Sequence, residues 1–205
     1  MSERAPLWLA VLGAAALAGL GLLVYGQRLW PALGLHHRVP PLRSVHDPWV
    51  AYLAPPSACP GEDNATATLD FQQETMVCLI NWARSRRGLA QLPESQLLDR
   101  SALLKAEDIV RCRDFSHTAC GKSDVAPFDA VGYRQTSWKV GENLAWGGGA
   151  LAAPARALDG WLNSPPHREA LFATDWTEMG IAVRPIRDFH GESTAEVWVS
   201  HFGLR

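Results

Sequence analysis

The sequence predicts an α+β domain, helices packed on an antiparallel sheet, preceded by an N-terminal membrane-spanning helix. Three observations predict it. Apolar residues recur with helical spacing between Met76 and Val110, β-forming residues crowd 179–183 and 195–202, and an apolar run without charge fills 7–25.

The run LWLAVLGAAALAGLGLLVY is long enough to cross a bilayer, at roughly 20 residues per crossing. A cleavable signal has a shorter apolar region, about 7–15 residues, closed by small side chains. Val24, Tyr25 and Gly26 make a poor cleavage site, so 1–27 reads as a retained anchor, with secretion after cleavage as the alternative. Arg4 precedes the span and Arg28, Arg38 and Arg43 follow it, a balance that leans against export under the positive-inside rule. Residues 28–68 carry Pro31, Pro40, Pro41, Pro48, Pro55 and Pro56 and read as a stiff extracytoplasmic spacer. Its Asn64-Ala65-Thr66 fits the glycosylation pattern, which matters only in a eukaryotic secretory pathway.

The folded unit is expected over 69–205, long enough to bury a real core. Met76, Leu79, Ile80 and Ala83 form the stripe of a first helix stopped by Gly88, with Arg84, Arg86 and Arg87 set against its carbonyl end. Ala102, Ala106, Ile109 and Val110 predict a second helix over about 98–111, capped by Ser95 or Asp99. A cysteine-bounded loop, CRDFSHTAC, and a turn-rich stretch to Tyr133 come next. A short helix over 154–163 is closed by Ser164-Pro165-Pro166, and IRDFHGEST makes a long turn between two antiparallel strands.

Composition excludes some functions. With 47% hydrophobic residues, 20% charged and a net charge of −2, the chain offers no basic face for nucleic acid. Nine tryptophans point to an aromatic core. Cys59, Cys78, Cys112 and Cys120 allow three pairings. A local Cys112–Cys120 bridge leaves Cys59 with Cys78, and disulfides persist only in oxidising compartments, which argues for export. The alternatives are four reduced thiols, or zinc on Cys112, His117 and Cys120, for which no second ligand pair follows.

Six pieces then fall in order: LINWARSRRGLAQL, FSH, GYRQTSWKVGENLAWG, GWLNSPPHREAL, TEMGIAV and VWVSHFG. Together they resemble the CAP superfamily (cysteine-rich secretory proteins, antigen 5 and pathogenesis-related proteins, also called the SCP domain), in its bacterial branch, over about 69–205. The resemblance implies an α-β-α sandwich, a secreted or surface location, and a cleft lined by two histidines and two acids. By position, His117 matches the first histidine, Glu142 the first acid and His167 the second histidine. The second acid has no match, because Trp161 is followed by Leu162, Asn163 and Ser164; Asp159, Glu169 and Glu178 are the nearby substitutes.

Two imidazoles converging on one point suit a divalent metal, zinc above all, with the carboxylate fixing a tautomer. Against that stands a plainer role for each residue: His117 on a carbonyl, Glu142 and Asn143 in a tight turn, His167 capping a helix. The first functional expectation is a non-enzymatic, membrane-tethered module that binds an amphipathic ligand or a peptide in the His117/Glu142/His167 cleft. The second is a zinc-dependent hydrolase, with His117 and His167 as ligands and Glu142 as general base. The third is a structural surface module with a relic cleft.

Overall fold

The computed structural model describes residues 47–135 and 139–205. The expected anchor over 1–27, and the spacer up to residue 46, lie outside the described residues. Within them no helix is long and apolar enough to cross a membrane.

Among the described residues five α-helices and three strands follow one another: α1 (Leu69–Arg86), α2 (Gln96–Cys112), α3 (Ala126–Ala130), β1 (Lys139–Gly148), α4 (Pro154–Asn163), α5 (Pro165–Phe172), β2 (Glu178–Phe189) and β3 (Glu192–Leu204). The sheet is antiparallel in the order β1-β3-β2. Each face of it is covered. Met76, Leu79 and Ile80 of α1, with Leu158 and Trp161 of α4, pack on Ile181, Val183, Trp198 and Phe202. On the opposite face Ala102, Ala106 and Ile109 of α2 meet Leu144, Ala182, Val197 and Val199. Burial on both faces explains why Met179 to Val183 of β2 reads as a continuous apolar run rather than as an alternating one.

The expected stripes of α1 and α2 are buried except at Val110, which is only partly covered, and their ends differ from expectation. Thr68 caps α1, its Oγ1 accepting the Phe71 N–H at 3.4 Å. Arg84 does not serve the helix dipole. It is buried, and its guanidinium donates to the carbonyls of Ala90, Leu171 and Ala173, joining α1 to the end of α5. Ser95 takes the N-cap position of α2, its carbonyl accepting the Asp99 N–H but its side chain making no cap bond, and the Asp99 carboxylate accepts the Ile181 N–H at 2.9 Å. Pro165 and Pro166 close α4 and also open α5, since proline suits a first turn that needs no N–H donor. The long turn expected between the late strands is in fact strand on both sides. Phe189 pairs with Glu192, and only His190 and Gly191, at φ 49° and 91°, make the reversal.

Two larger expectations change. VGENLAWGG, where a tight turn at Glu142 and Asn143 is the plainer reading of the sequence, is strand β1, so a strand precedes α4 and α5. The described part of the expected spacer packs on the domain: Leu53, Ala54 and Cys59 are buried in the core, Trp49 and Tyr52 lie against Phe172, and Cys59 is bonded to Cys78. The apolar and aromatic residues between the prolines explain why this stretch folds instead of standing clear.

Candidate functional site

The site grows from the β1–β3 pairing. Glu142 stands opposite His201, so both side chains project from the same face of the sheet, the face that α2 covers. Helix α2 presents Ser101 and Lys105, four residues apart and therefore stacked on one side, to that spot. The loop after α2 supplies His117, closed by a Cys112–Cys120 bridge with the Cα atoms 5.4 Å apart. As the spacing leads one to expect, the four cysteines form two local bridges.

Glu142 is the centre. Its Oε1 lies 2.6 Å from His117 Nδ1 and 3.6 Å from Lys105 Nζ, and its Oε2 lies 2.8 Å from His201 Nε2. Lys105 also donates to the His117 carbonyl, locking the loop onto α2. Side-chain exposure is 6% for Glu142, 3% for Lys105 and 0% for His201, but 52% for His117. The cluster is a buried polar knot with one imidazole at the surface. Phe128 stacks on His201 at 4.1 Å between ring centroids, and Ser101 Oγ lies 2.7 Å from His201 Nδ1.

The protonation pattern follows from these contacts. Burial pushes the Glu142 carboxyl up, but the hydrogen bonds from His117 and His201 and the nearby charge of Lys105 outweigh it, leaving a lowered pKa. His201 is lowered by burial despite its carboxylate partner. A neutral His201 donating Nε2–H to Glu142 has an accepting Nδ1 that faces the Ser101 hydroxyl, whose single hydrogen has the Leu98 carbonyl, at 2.9 Å, as its other acceptor. His117 is raised, first by its hydrogen bond to Glu142.

His167 lies across the edge strand. Its carbonyl accepts from Asn143 Nδ2 at 3.0 Å, and its Nδ1 lies 2.7 Å from Ser164 Oγ. Asn143 thus links β1 to α5 on the side away from Glu142, and does not organise a turn. Burial lowers the His167 pKa, and the charge of His117 lowers it further. A cavity of about 220 Å³ opens beside His167, lined by Phe115, Leu144, Trp146, Trp161 and Ser164 among others. So His167 lines the slot, together with Arg156, while His117 is not part of its lining and is the only one of the two that Glu142 touches.

None of the three substitutes for a second acid joins the cluster. Asp159 bonds Asn163, Glu178 accepts from Tyr133 Oη at 2.6 Å, and Glu169 borders a separate hollow with Trp49 and Phe172. The residues that do complete the cluster, His201, Lys105 and Ser101, escape sequence reasoning. Lys105 carries a signal, a cation inside the apolar stripe of Ala102, Ala106 and Ile109. His201 carries one only through the register with β1, which is hidden while β1 is not recognised as a strand.

For a metal, the available donors are Nε2 of His117 and of His167, since each Nδ1 is engaged and Glu142 has a partner on each oxygen. Among the described residues no group of three or more His, Cys, Asp or Glu side chains is placed to hold an ion. That donor set does not fit a catalytic zinc, which takes three protein ligands.

The profile of the Cysteine-rich secretory protein family, CAP, matches residues 77–202. The chain is 28% identical over 119 residues to the uncharacterized protein YkwD of Bacillus subtilis, covering 58% of this chain and 44% of that one. It is 29% identical over 126 residues to the uncharacterized membrane protein YlbC of the same organism, covering 62% and 35%. It therefore spans less than half the length of either curated relative. Among solved structures it is similar to an outer surface protein of Borrelia burgdorferi, with a TM-score of 0.56 at 24% identity, covering 68% of this chain and 96% of that one. An extracellular SCP-domain protein of Bacillus anthracis gives a TM-score of 0.55 at 22% identity over 68% of this chain and 44% of the other. At these identities the structures show a shared fold, mixed helices on an antiparallel sheet.

Proposed function

The chain belongs to the cysteine-rich secretory protein (CAP) family, and on that premise we propose that it is a non-enzymatic extracytoplasmic binding module, tethered by its N-terminal apolar segment. The ligand it fits is an amphipathic anion or an acidic-ended peptide, held with its charged end at His117 and its apolar part in the slot by Trp146 and Trp161. One observation carries the reading: both oxygens of Glu142 already have imidazole partners inside a buried knot. A carboxylate so held, with its pKa lowered, is a poor general base. Ser101, the hydroxyl next to a histidine–carboxylate pair, is fully buried and cannot reach a substrate. What the cluster presents outward is one imidazole, His117, half in solvent, and a separate slot lined by His167, Trp146 and Trp161 adds apolar surface for recognition. Two disulfides and the extracellular and surface descriptions of the similar structures support an oxidising, extracytoplasmic location.

The test is tryptophan fluorescence of the purified chain titrated with dodecanoate, beside elemental analysis after dialysis against zinc. Saturable quenching weakened in a folded His117→Ala/His167→Ala variant, without stoichiometric zinc, supports the binding module. About one zinc per chain, lost in that variant, would favour the zinc hydrolase instead.

A further inference from the structure

The hollow that Glu169 borders, about 280 Å³, lies between Trp49, Arg87 just past the end of α1, and Arg168, Glu169 and Phe172 of α5. It shares no residue with the Glu142 cluster or with the slot beside His167. Two arginines and two aromatic residues thus share one concave space.

Each guanidinium is held in place but not neutralised. That of Arg168 lies over the Trp49 ring at 4.1 Å and donates from Nη1 to the Leu162 carbonyl at 2.6 Å. That of Arg87 lies over the Phe172 ring at 5.7 Å and donates from Nη1 to Tyr52 Oη at 3.2 Å. Tyr52 in turn stands 5.5 Å from the ring centroids of both Trp49 and Phe172, tying the walls together. Stacking on a ring fixes a guanidinium plane and leaves its edge N–H groups able to donate. Among the described residues the arginines in ion pairs are Arg111, Arg134, Arg156 and Arg205, so Arg87 and Arg168 are in none. The buried Arg84 is in none either; its partners are carbonyls, two of which flank Phe172. Against these three cations the hollow sets one carboxylate, Glu169. A phosphate monoester matches that excess, with about two negative charges at neutral pH and three acceptor oxygens for planar donor forks.

We propose that this hollow is an anion site, taking the phosphate of an organic phosphate ester on Arg87 and Arg168 and the adjoining part of the ester against Trp49 and Phe172. The same chemistry is offered by a soluble phosphate ester and by the headgroup of a phosphatidic acid. Calorimetric titration of the full chain, in a non-ionic detergent, with glycerol 3-phosphate and with dihexanoyl phosphatidic acid separates the two by which binds more tightly. Saturable 1:1 binding of one of them at a Kd of about 1 mM or below is expected, with no binding of glycerol or of dihexanoyl phosphatidylcholine. Arg168→Gln should weaken it about tenfold. So should Arg87→Gln, which leaves the fold intact because that side chain is exposed and bonded only to Tyr52. Glu169→Gln, which removes the one carboxylate of the wall, should tighten it at least about twofold. No binding of either phosphate, equal binding of phosphatidylcholine, or unchanged affinity in both arginine variants would overturn the site.

Discussion

The sheet has two edge strands, and they are finished in different ways. Along β2 the outward groups are closed by fixed structural partners. Met179 exchanges main-chain bonds with Pro93 and Ser95, at 3.0 and 2.8 Å. The Ile181 N–H goes to Asp99 and the Val183 N–H to Gln73, and Pro185 has no N–H to place. This is an edge sealed against pairing with another chain. Along β1 the ties run through side chains: Trp161 Nε1 of α4 donates to the Leu144 carbonyl at 2.9 Å, and Asn143 of β1 donates to the His167 carbonyl at 3.0 Å. Two imidazoles flank that edge, and a buried carboxylate anchors it. The difference separates a structural edge from one where titratable groups collect around a strand, and variants on each edge should behave accordingly.

The sharpest test of that contrast, and the largest expected effect, is Glu142→Ala. It strands Lys105 and His201, both almost fully buried, without the carboxylate that compensates them. Removing one partner of a buried charge pair costs about 3–5 kcal/mol. We expect a loss of that size in urea-denaturation stability, and a smaller one for Glu142→Gln, which keeps the shape and one acceptor. A loss below about 1 kcal/mol for the alanine variant would mean the cluster carries none of the weight assigned to it.

On the sealed edge the expected change is smaller and of opposite sense. Burial raises Asp99 to a pKa of about 7, and the neighbouring Glu94 adds to this while the Ile181 N–H opposes it. Above its unfolded value the group therefore holds a proton longer in the folded state, so stability falls as pH rises from about 4 through 7. Asp99→Asn keeps an acceptor for Ile181 and removes the titrating proton. It should flatten that slope and stabilise the protein at pH 8, by no more than about 1 kcal/mol given its partial exposure. An unchanged pH slope in the variant would show that Asp99 does not titrate there.

Most of the helices are legible in the sequence because their signals are local. The stripe of Met76, Leu79, Ile80 and Ala83 and the glycine after it need no knowledge of what they pack on. Strand β1 is not legible, since GENLAWGG mixes small, polar and aromatic residues and reaches its state by pairing with β3. Without it as a strand, half of the site stays hidden. His117 and Glu142 are found through motif resemblance and do meet, but His201 needs the register, and Lys105 needs the position of α2 over the sheet. His167 is found too and sits beside the same strand, though its contact is with Ser164 rather than with Glu142.

The smallest expected effect sharpens the comparison most, because it reads the open edge directly. His117 is raised by its bond to Glu142, whereas the buried His201 is lowered, so the two imidazoles on one carboxylate pull stability in opposite directions with pH. The His117 contribution is fully present below the unfolded value near 6.5 and is lost as pH rises through the higher folded value. The His201 contribution is present above 6.5 and is lost as pH falls below it. His117→Asn should therefore destabilise the protein at pH 6 and leave it nearly unchanged at pH 9, by well under 1 kcal/mol since this side chain is half in solvent. The wild type should also lose stability on acidification through His201, and without the opposing gain from His117 the variant should fall more steeply. Equal destabilisation at both pH values would assign His117 to packing alone, and the open edge would then be as purely structural as the sealed one.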